Sequence, residues 1–557
     1  MPVASGYLDP DAVVTRARGG GTATGRSARG ANQVLLTLAA GQFLMTLDSS
    51  VMNVSIATVA EDLGTTVTGI QSAITLYGLV MAALMITGGK ISTIVGRRRA
   101  FTAGCVVYGA GSFVTSVAPN LAVLLFGWSL LEGVGAALIM PSIVGLVAAN
   151  FERRGRPRAY GIVASAGAVA VAAGPLIGGV VTTAFSWRWV FAGEVVVVAV
   201  ILLVARRLHE GPREARPRLD LVGTCLSALA LGLTVYGVLR SGEWGWVRPK
   251  SGTEWLGLSP VVWLLLAGGL ALYLFTRWEQ HVSDRGGDPL VRPGMVRENA
   301  RLRCGLTMFF FQFFVQGGLF FVIPLFLSVV LGLSAAATGV RLLPLSVTLL
   351  GAAIAIPRFL PHASPRAVVR SGLLALLAGT VALLAALEVG AGAQVTTVPL
   401  LLAGLGIGAL ASQLGSVTVS SVPDEESGDV GGLQNTGSNL GLSLGTALIG
   451  SILIASLTSV FLQEVADDPG VPDALAERAT VELAGGIPFV SNAQLEDALA
   501  DAGVDPEVAA SVVEDNEHAR ILALRVSLAT VAFVVVLALF FARPLPTVQP
   551  ADEPRAA

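Results

Sequence analysis

The stretch LDSSVMNVSIA, residues 47–57, places an acid inside an apolar segment. The apolar run begins near Gln33 and is long enough to cross a bilayer, which takes about 20 residues at about 1.5 Å each. Asp48 lies in the outer half of this run. A charged side chain at that depth costs free energy, so its presence favours a functional role. The alternative is an interfacial aspartate that caps a break in the helix.

Composition indicates a membrane protein. Of 557 residues, 53% are hydrophobic and only 13% are charged, whereas soluble domains average about 25% charged residues. The 65 glycines suit helices that approach one another closely in lipid. Cys105, Cys225 and Cys304 all fall inside apolar segments, so we expect neither a disulfide framework nor a cysteine metal site.

The hydropathy pattern predicts an all-α polytopic membrane protein with fourteen spans. The predicted spans are 33–56, 69–90, 100–118, 121–149, 159–182, 188–205, 219–240, 259–276, 304–329, 336–356, 369–389, 396–420, 431–459 and 521–541. Lysine and arginine concentrate in alternate loops, which places both termini in the cytoplasm by the positive-inside rule. We therefore predict a multi-pass protein of the cytoplasmic membrane.

An acidic segment at 460–520 interrupts the spans on the predicted outer side. Ser491 and Gln494 have the spacing of a capping box, which predicts a short helix ending at Gly503. The pair Asp505-Pro506 predicts a second helix start, from which the chain runs into the last span. The segment is too small and too acidic for an enzyme, so we interpret it as a lid or spacer.

Nothing in the sequence predicts catalysis, so we assign no catalytic residue and expect no enzyme. His209, His281, His362 and His518 lie in separate hydrophilic segments, which predicts no metal site. A glycine-rich phosphate loop of the Walker type is absent from the sequence, so ATP is not expected to drive the protein. We expect no cofactor.

Three motifs occur in a fixed order along residues 33–460. The first is the pattern LDxxVxNV from Leu47, the second is GKISTIVGRRR at 89–99, and the third is GPLIGG at 174–179. In this order they resemble the fourteen-helix drug:proton antiporter (multidrug efflux) branch of the major facilitator superfamily. The departures of this sequence from the family pattern include four positions where relatives have an acid, an arginine, a glutamine and an asparagine. These positions are Thr93, Ser129, Glu132 and Glu194, respectively.

The resemblance implies a major facilitator fold with two six-helix halves and two inserted central helices. The implied segments are a disordered cytoplasmic tail at 1–32, an N-terminal half at 33–206, the inserted helices at 207–276, a cytoplasmic linker at 277–303, a C-terminal half at 304–541 and a cytoplasmic tail at 542–557. The resemblance also implies residues that move or latch the helices. These conformational residues are Gly89, Lys90, Gly96, Arg97, Arg98, Arg99, Gly174, Pro175, Gly178 and Gly179.

In this family the cavity is lined by the first, fourth, ninth and twelfth spans, which carry Asp48 and Glu132. Because a buried carboxyl can take up and release a proton as the cavity changes sides, we expect these acids to couple transport to protons or cations. We hypothesise that Glu132 is protonated at rest; the alternative is an acid that only holds the spans together by hydrogen bonds. Glu194 is a third candidate, although its span is expected to be peripheral and pairing with Arg188 or a polar neighbour is the alternative.

Span nine carries aromatic and amide side chains at helical spacing, which suits a greasy, planar or cationic ligand. The alternative is that these phenylalanines face lipid. The candidate cavity residues are Asn53, Gln71, Tyr77, Phe309, Gln312, Phe313, Gln316, Phe320 and Gln413.

These features predict proton-coupled export of amphiphilic or cationic small molecules by alternating access. The expected partners are a small amphiphilic substrate, protons and membrane lipids, without nucleic acid, and the expected state is a monomer. One alternative is a dedicated exporter of one metabolite or envelope lipid. A second, from a different class, is a membrane scaffold or sensor that transports nothing, whose outer segment binds an envelope partner.

Overall fold

A computed structural model of the protein describes residues 28–151, 156–210, 219–250, 254–422, 427–472 and 487–549. Of the predicted tails at 1–32 and 542–557, residues 1–27 and 550–557 lie outside the described residues. Within the described ranges the regular elements are helices, apart from one isolated bridge between Trp255 and Leu258. The all-α fold class predicted from the sequence is therefore confirmed.

Fourteen long helices follow the order of the predicted spans. The first six are α1 (Ala28–Asp62), α2 (Val67–Val95), α3 (Arg97–Ser116), α4 (Leu121–Leu124, continued by a π-helical stretch at Leu125–Glu132 and by Gly133–Asn150), α5 (Arg156–Ala184) and α6 (Arg188–Ala205). The next two are α7 (Leu221–Trp244) and α8 (Pro260–Asp284). The last six are α9 (Ala300–Leu325, extended by a π-helical turn at Phe326–Val330), α10 (Ala335–Phe359), α11 (Pro365–Ala386), α12 (Thr397–Val419), α13 (Ser427–Asp467) and α14 (Pro506–Phe541).

Thirteen of these helices are long and apolar enough to cross a membrane within the described part of the chain. The exception is α3, whose glycines, serines and threonines make it less apolar than the others. Its 20 residues still span about 30 Å, which matches the hydrocarbon thickness of a bilayer. Because α3 packs against α2, α4 and α6, its polar positions face protein.

The helices divide into two packed groups, α1–α6 and α9–α14. Two pairs of helices make most of the contact between the groups: α2 packs on α13, and α5 packs on α10. The inserted helix α7 packs against both α2 and α13, and α8 packs on α7. The inserted pair therefore lies beside one of the two seams that join the groups.

Several helix ends differ from the sequence prediction. α1 begins at Ala28, so the last residues of the predicted tail are helical. α8 continues to Asp284, and a short helix at Pro293–Glu298 precedes α9, so the predicted linker is largely helical. The 41 residues of α13 span about 60 Å, twice the hydrocarbon thickness. α13 continues in polar turns after its apolar stretch, and α14 begins with polar turns before its own apolar stretch. Both helices therefore project beyond the membrane on the predicted outer side.

The described part of the outer segment docks on these projections. Ser491 and Gln494 form the predicted capping box at the start of a short helix, Asn492–Asp501, and Gly503 follows it with a positive φ of 70°. Asp505 caps α14 as predicted, and α14 runs directly into the last span. Phe489 is buried, and the buried Arg520 donates to the carbonyl of Val490 at 2.7 Å.

Candidate functional site

Asp48 is buried inside the N-terminal group of helices. Both of its carboxylate oxygens accept from the indole N–H of Trp128, at 2.8 and 2.9 Å. The Trp128 ring stacks on the Tyr77 ring with centroids 5.0 Å apart and planes 5° from parallel. The Tyr77 hydroxyl lies beside Asp48, is buried, and makes no hydrogen bond of normal geometry to the residues that the structure describes. Aromatic groups from α2 and α4 thus enclose the acid of α1.

The π-helical stretch of α4 presents both Trp128 and Glu132. A π-helix widens the turn and changes the direction of the side chains that follow, and such stretches occur frequently at functional sites. Its close approach to α3 depends on Gly111, because a Cβ there would lie 2.6 Å from Glu132 Cγ and 2.7 Å from the carbonyl oxygen of Gly127. Glu132 consequently turns into the helix bundle, where it is fully buried.

Glu194 on α6 reaches the same place. Its Oε2 accepts from the hydroxyls of Tyr108 and Ser112 on α3, each at 3.2 Å. Of the partners expected for Glu194, the structure shows polar neighbours and not Arg188, which forms an ion pair with Asp62 and donates to the carbonyl of Ala118 at 2.9 Å. α6 lies at the edge of its group of helices, with Val196 and Val200 exposed, but its inner face packs on α3.

Asp48, Glu132 and Glu194 form an acidic cluster. One carboxylate oxygen of each lies within 4.8 Å of the others, and all three residues are at most 2% exposed. Among the described residues, no lysine or arginine forms an ion pair with any of them. Ser129, at the position of the family arginine, instead donates to the carbonyl of Ala73 at 2.8 Å.

The cluster cannot keep three negative charges. Like charges at this separation repel strongly where the surroundings have a low dielectric constant, and burial removes the hydration of each carboxylate. The three carboxylates offer only oxygen atoms as ligands, and oxygen ligands bind protons or hard cations. The chemical capability of the site is therefore reversible cation or proton binding.

The candidate cavity residues do not form one surface. Gln71 donates to the carbonyls of Thr446 and Ala447 on α13, at 3.1 and 3.3 Å, so it joins the two groups of helices. Gln413 accepts at 2.9 Å from Gln549, which lies beyond the end of α14. Asn53 donates to the carbonyl of Ser49 within α1 at 2.7 Å.

The stripe on α9 retains groups that a ligand could contact. Phe309 and Phe313 stack with centroids 6.5 Å apart. Gln312 is buried, and no described residue donates a hydrogen bond to its side-chain carbonyl oxygen. Gln316 is buried and Phe320 is half-buried on the same helix. The structure thus keeps aromatic and amide groups together on α9.

The basic loop after α2 makes main-chain contacts. Arg97 donates to the carbonyl of Gly145 at 3.1 Å, and Arg98 donates to that of Leu208 at 3.3 Å. Gly96 has a φ of 109°, and the carboxylate of Glu210 fills the space where its Cβ would lie. An acid therefore does meet this loop, from the segment after α6, although Thr93 stands at the family position. Gly89 faces Pro141, Lys90 is half-buried and Arg99 is exposed.

Small residues of α5 allow two close helix contacts. Gly174 and Gly178 face Ser50 and Val51 of α1. On the other side, Gly179 meets the carbonyl of Ala335, and Gly339 of α10 meets that of Pro175. α5 therefore links the helix that carries Asp48 to the opposite group of helices.

Comparisons with known proteins agree with this architecture. The family model of the Major Facilitator Superfamily matches residues 38–446. The puromycin resistance protein pur8 of Streptomyces alboniger is 32% identical over 465 residues, which cover 81% of this chain and 87% of that protein. The tetracenomycin C resistance and export protein of Streptomyces glaucescens is 31% identical and covers 77% of each chain. The multidrug resistance protein Stp of Mycobacterium tuberculosis is 26% identical over 80% of this chain and 81% of its own.

Solved structures agree on the fold. The POT family transporter PepTSo superposes with a TM-score of 0.57 at 12% identity, over 92% of this chain and 99% of that one. A bacterial homolog of the human lysosomal transporter Spinster gives a TM-score of 0.55 at 16% identity, over 93% of this chain and 98% of that one. The chain belongs to the Major Facilitator Superfamily, among its drug-efflux proteins, and is a transporter and not an enzyme.

Proposed function

We propose that the protein exports amphiphilic small molecules, cationic ones included, across the cytoplasmic membrane in exchange for protons. The observation that carries this proposal is the acidic cluster, buried without a counter-cation among the described residues. The resistance and export roles named for the relatives support small-molecule drugs as the substrate class. The aromatic and amide groups of α9 are the proposed substrate contacts, with both termini in the cytoplasm and the protein acting as a monomer.

The contacts between the two groups of helices support an inward-facing state. Ser443 of α13 donates to the carbonyl of Thr75 at 2.8 Å, and Gln71 reaches α13 one turn nearer to the predicted outer end of α2. On the second seam, the main-chain N–H of Ala336 donates to Thr183 at 2.9 Å. These contacts lie in the predicted outer halves of their helices. An outer seam that is closed leaves the opposite side as the route for a substrate from the cytoplasm.

The acidic cluster has direct neighbours on the helices that form these seams. Tyr77 lies two residues after Thr75 on α2, and Asp48 follows Leu47 of α1, whose carbonyl oxygen faces Gly174 of α5. Ionisation of the cluster would make its members repel and would favour separation of α1, α4 and α6. Proton binding would remove the repulsion and favour the packing described here. In this proposal, protons select between two packings of the same helices.

Inside-out membrane vesicles test the proposal. We expect wild-type protein to accelerate export of cationic dyes or antibiotics into the vesicles when their lumen is acidified, and a protonophore to abolish the effect. Vesicles without the protein are the control, and the panel should include neutral amphiphiles and lipids. If no compound moves in response to the proton gradient while the protein is present and folded, proton-driven export is wrong.

The outer segment is proposed to be accessory to transport. We expect replacement of residues 487–503 by a Gly/Ser linker to change dye export by less than about twofold and to lower the melting temperature. Stability falls because Phe489 leaves its buried site and Arg520 loses the carbonyl of Val490. Export and thermal melting of the purified variant are the measurements. Complete loss of export with normal melting would indicate a lid or a partner-binding surface instead.

A further inference from the structure

The oxygens of the acidic cluster fall into two sets. Asp48 has both oxygens engaged by Trp128, an indole that can only donate. Glu194 Oε2 accepts from two hydroxyls, and Glu132 Oε1 accepts from Thr115 at 3.3 Å. Glu132 Oε2 and Glu194 Oε1 are buried and have no hydrogen-bond partner among the described residues. Two oxygens, one on each glutamate, therefore lack the partner that burial normally requires.

Within the described part of the chain, the surrounding elements supply no positive charge that would stabilise three anions. The titratable groups that face the cluster are the carboxylates of α1, α4 and α6 and the hydroxyls of Tyr77 on α2 and Tyr108 on α3. α5, which packs on α1, has no acidic or basic residue between Ala159 and Ala184. Arg188 on α6 is held by Asp62. The charge of the cluster must be lowered by something that binds to it.

We propose that the acidic cluster binds two protons, one on Glu132 and one on Glu194, and that each transport cycle exchanges both. This inference rests on the proposed proton-driven export and adds its stoichiometry. A proton on either unpartnered oxygen makes that oxygen a donor for a neighbouring carboxylate of the cluster. Asp48 keeps the single remaining negative charge, because the Trp128 N–H stabilises its ionised form.

The two-proton count has an electrical consequence. When two protons enter for each molecule exported, a monovalent cation leaves with a net inward movement of one positive charge. A one-proton exchange of the same cation moves no net charge. The response of monovalent-cation export to membrane potential therefore separates the two stoichiometries.

Infrared spectroscopy tests the two protons without a substrate. In purified full-length protein in lipid nanodiscs at neutral pH, we expect two carboxylic acid C=O bands from the cluster, apart from any band of the buried Glu279, which Glu279→Gln removes. One should disappear in Glu132→Gln and the other in Glu194→Gln. Glu243→Gln on α7, outside the cluster, is the matched control and should retain both. A wild-type spectrum with one carboxylic acid band or none would overturn the proposal, whether or not either variant folds.

Proteoliposomes with an imposed potassium diffusion potential supply the second readout. Using the monovalent cation ethidium in sodium-free buffer with a chelator, we expect an interior-negative potential, in the cellular sense, to accelerate export at a fixed pH gradient. Export driven by the pH gradient but independent of potential would overturn the two-proton count and leave proton-driven export standing. A requirement for added sodium or calcium in place of the pH gradient would show that the cluster binds a metal cation, and both proposals would be wrong.

Discussion

Replacement of Asp48 by asparagine is expected to lower gradient-driven export to the level of vesicles without the protein. The amide keeps the size of the side chain, and its oxygen can still accept from the Trp128 indole, which now lies 2.8 Å from Asp48 Oδ1. What is lost is the charge that makes the cluster respond to protons. Because the packing of a buried polar group depends on its hydrogen bonds, and one is kept, we expect the variant to fold.

The measurement is dye export in inside-out vesicles, with expression and thermal melting of the purified variant measured in parallel. Asp62→Asn is a matched control on the same helix, because Asp62 is partly exposed and pairs with Arg188. An exposed ion pair contributes about 0–1 kcal/mol, so this variant should retain export. Wild-type export by Asp48→Asn would remove Asp48 from the coupling mechanism.

The helices and the central acid could be predicted from the sequence because each depends on local composition. An apolar stretch of about 20 residues has few structural alternatives in a bilayer. Asp48 stands out because a charge inside such a stretch is rare. Even α3, the least apolar helix, was predictable, since its length and its place between two loops require it to cross the membrane.

The composition of the acidic cluster could not be predicted in full. Glu194 lies only six residues into α6, and its inward direction depends on how α3 packs against that helix. Trp128 stood next to the substituted Ser129, but the π-helical stretch that aims it at Asp48 has no clear sequence signal. The signal that could have found Trp128 is chemical: a buried carboxylate needs a donor, and the neighbouring span offers an indole.

The polar residues of α2 were also ambiguous. Gln71 and Tyr77 were predicted as cavity residues from their polarity in an apolar span. A glutamine side chain can, however, hydrogen-bond to a neighbouring helix as well as to a ligand. The structure places the Gln71 amide against the α13 main chain. The sequence analysis did not find Glu210, because this residue lies 114 positions after Gly96, in a different loop. Only the folded chain brings its carboxylate next to that glycine.

Substitution of Gly339 by alanine is expected to reduce export at least as severely as a change in the acidic cluster, but for a mechanical reason. The added Cβ would overlap the carbonyl of Pro175 and lie 2.9 Å from its carbonyl carbon. Backbone atoms on both sides cannot move aside as a flexible side chain can, so α5 and α10 must separate. In the proposed cycle this opens the outer seam and disfavours the inward-facing state.

Gly351→Ala is the matched control, because it places the same methyl group on the same helix where no atom lies within 4 Å. Export should fall to near background in Gly339→Ala and stay near wild type in Gly351→Ala. A cysteine placed at Ala336, beside the outer seam contact with Thr183, should react faster with an impermeant thiol reagent in the first variant. The acidic cluster should keep its two carboxylic acid bands in both variants, since neither glycine touches it.

Export at the wild-type rate in Gly339→Ala would mean that the close approach of α5 and α10 is not part of the transport cycle. Equal thiol reactivity in the two variants, together with lost export, would indicate that alanine impairs export without opening the outer seam.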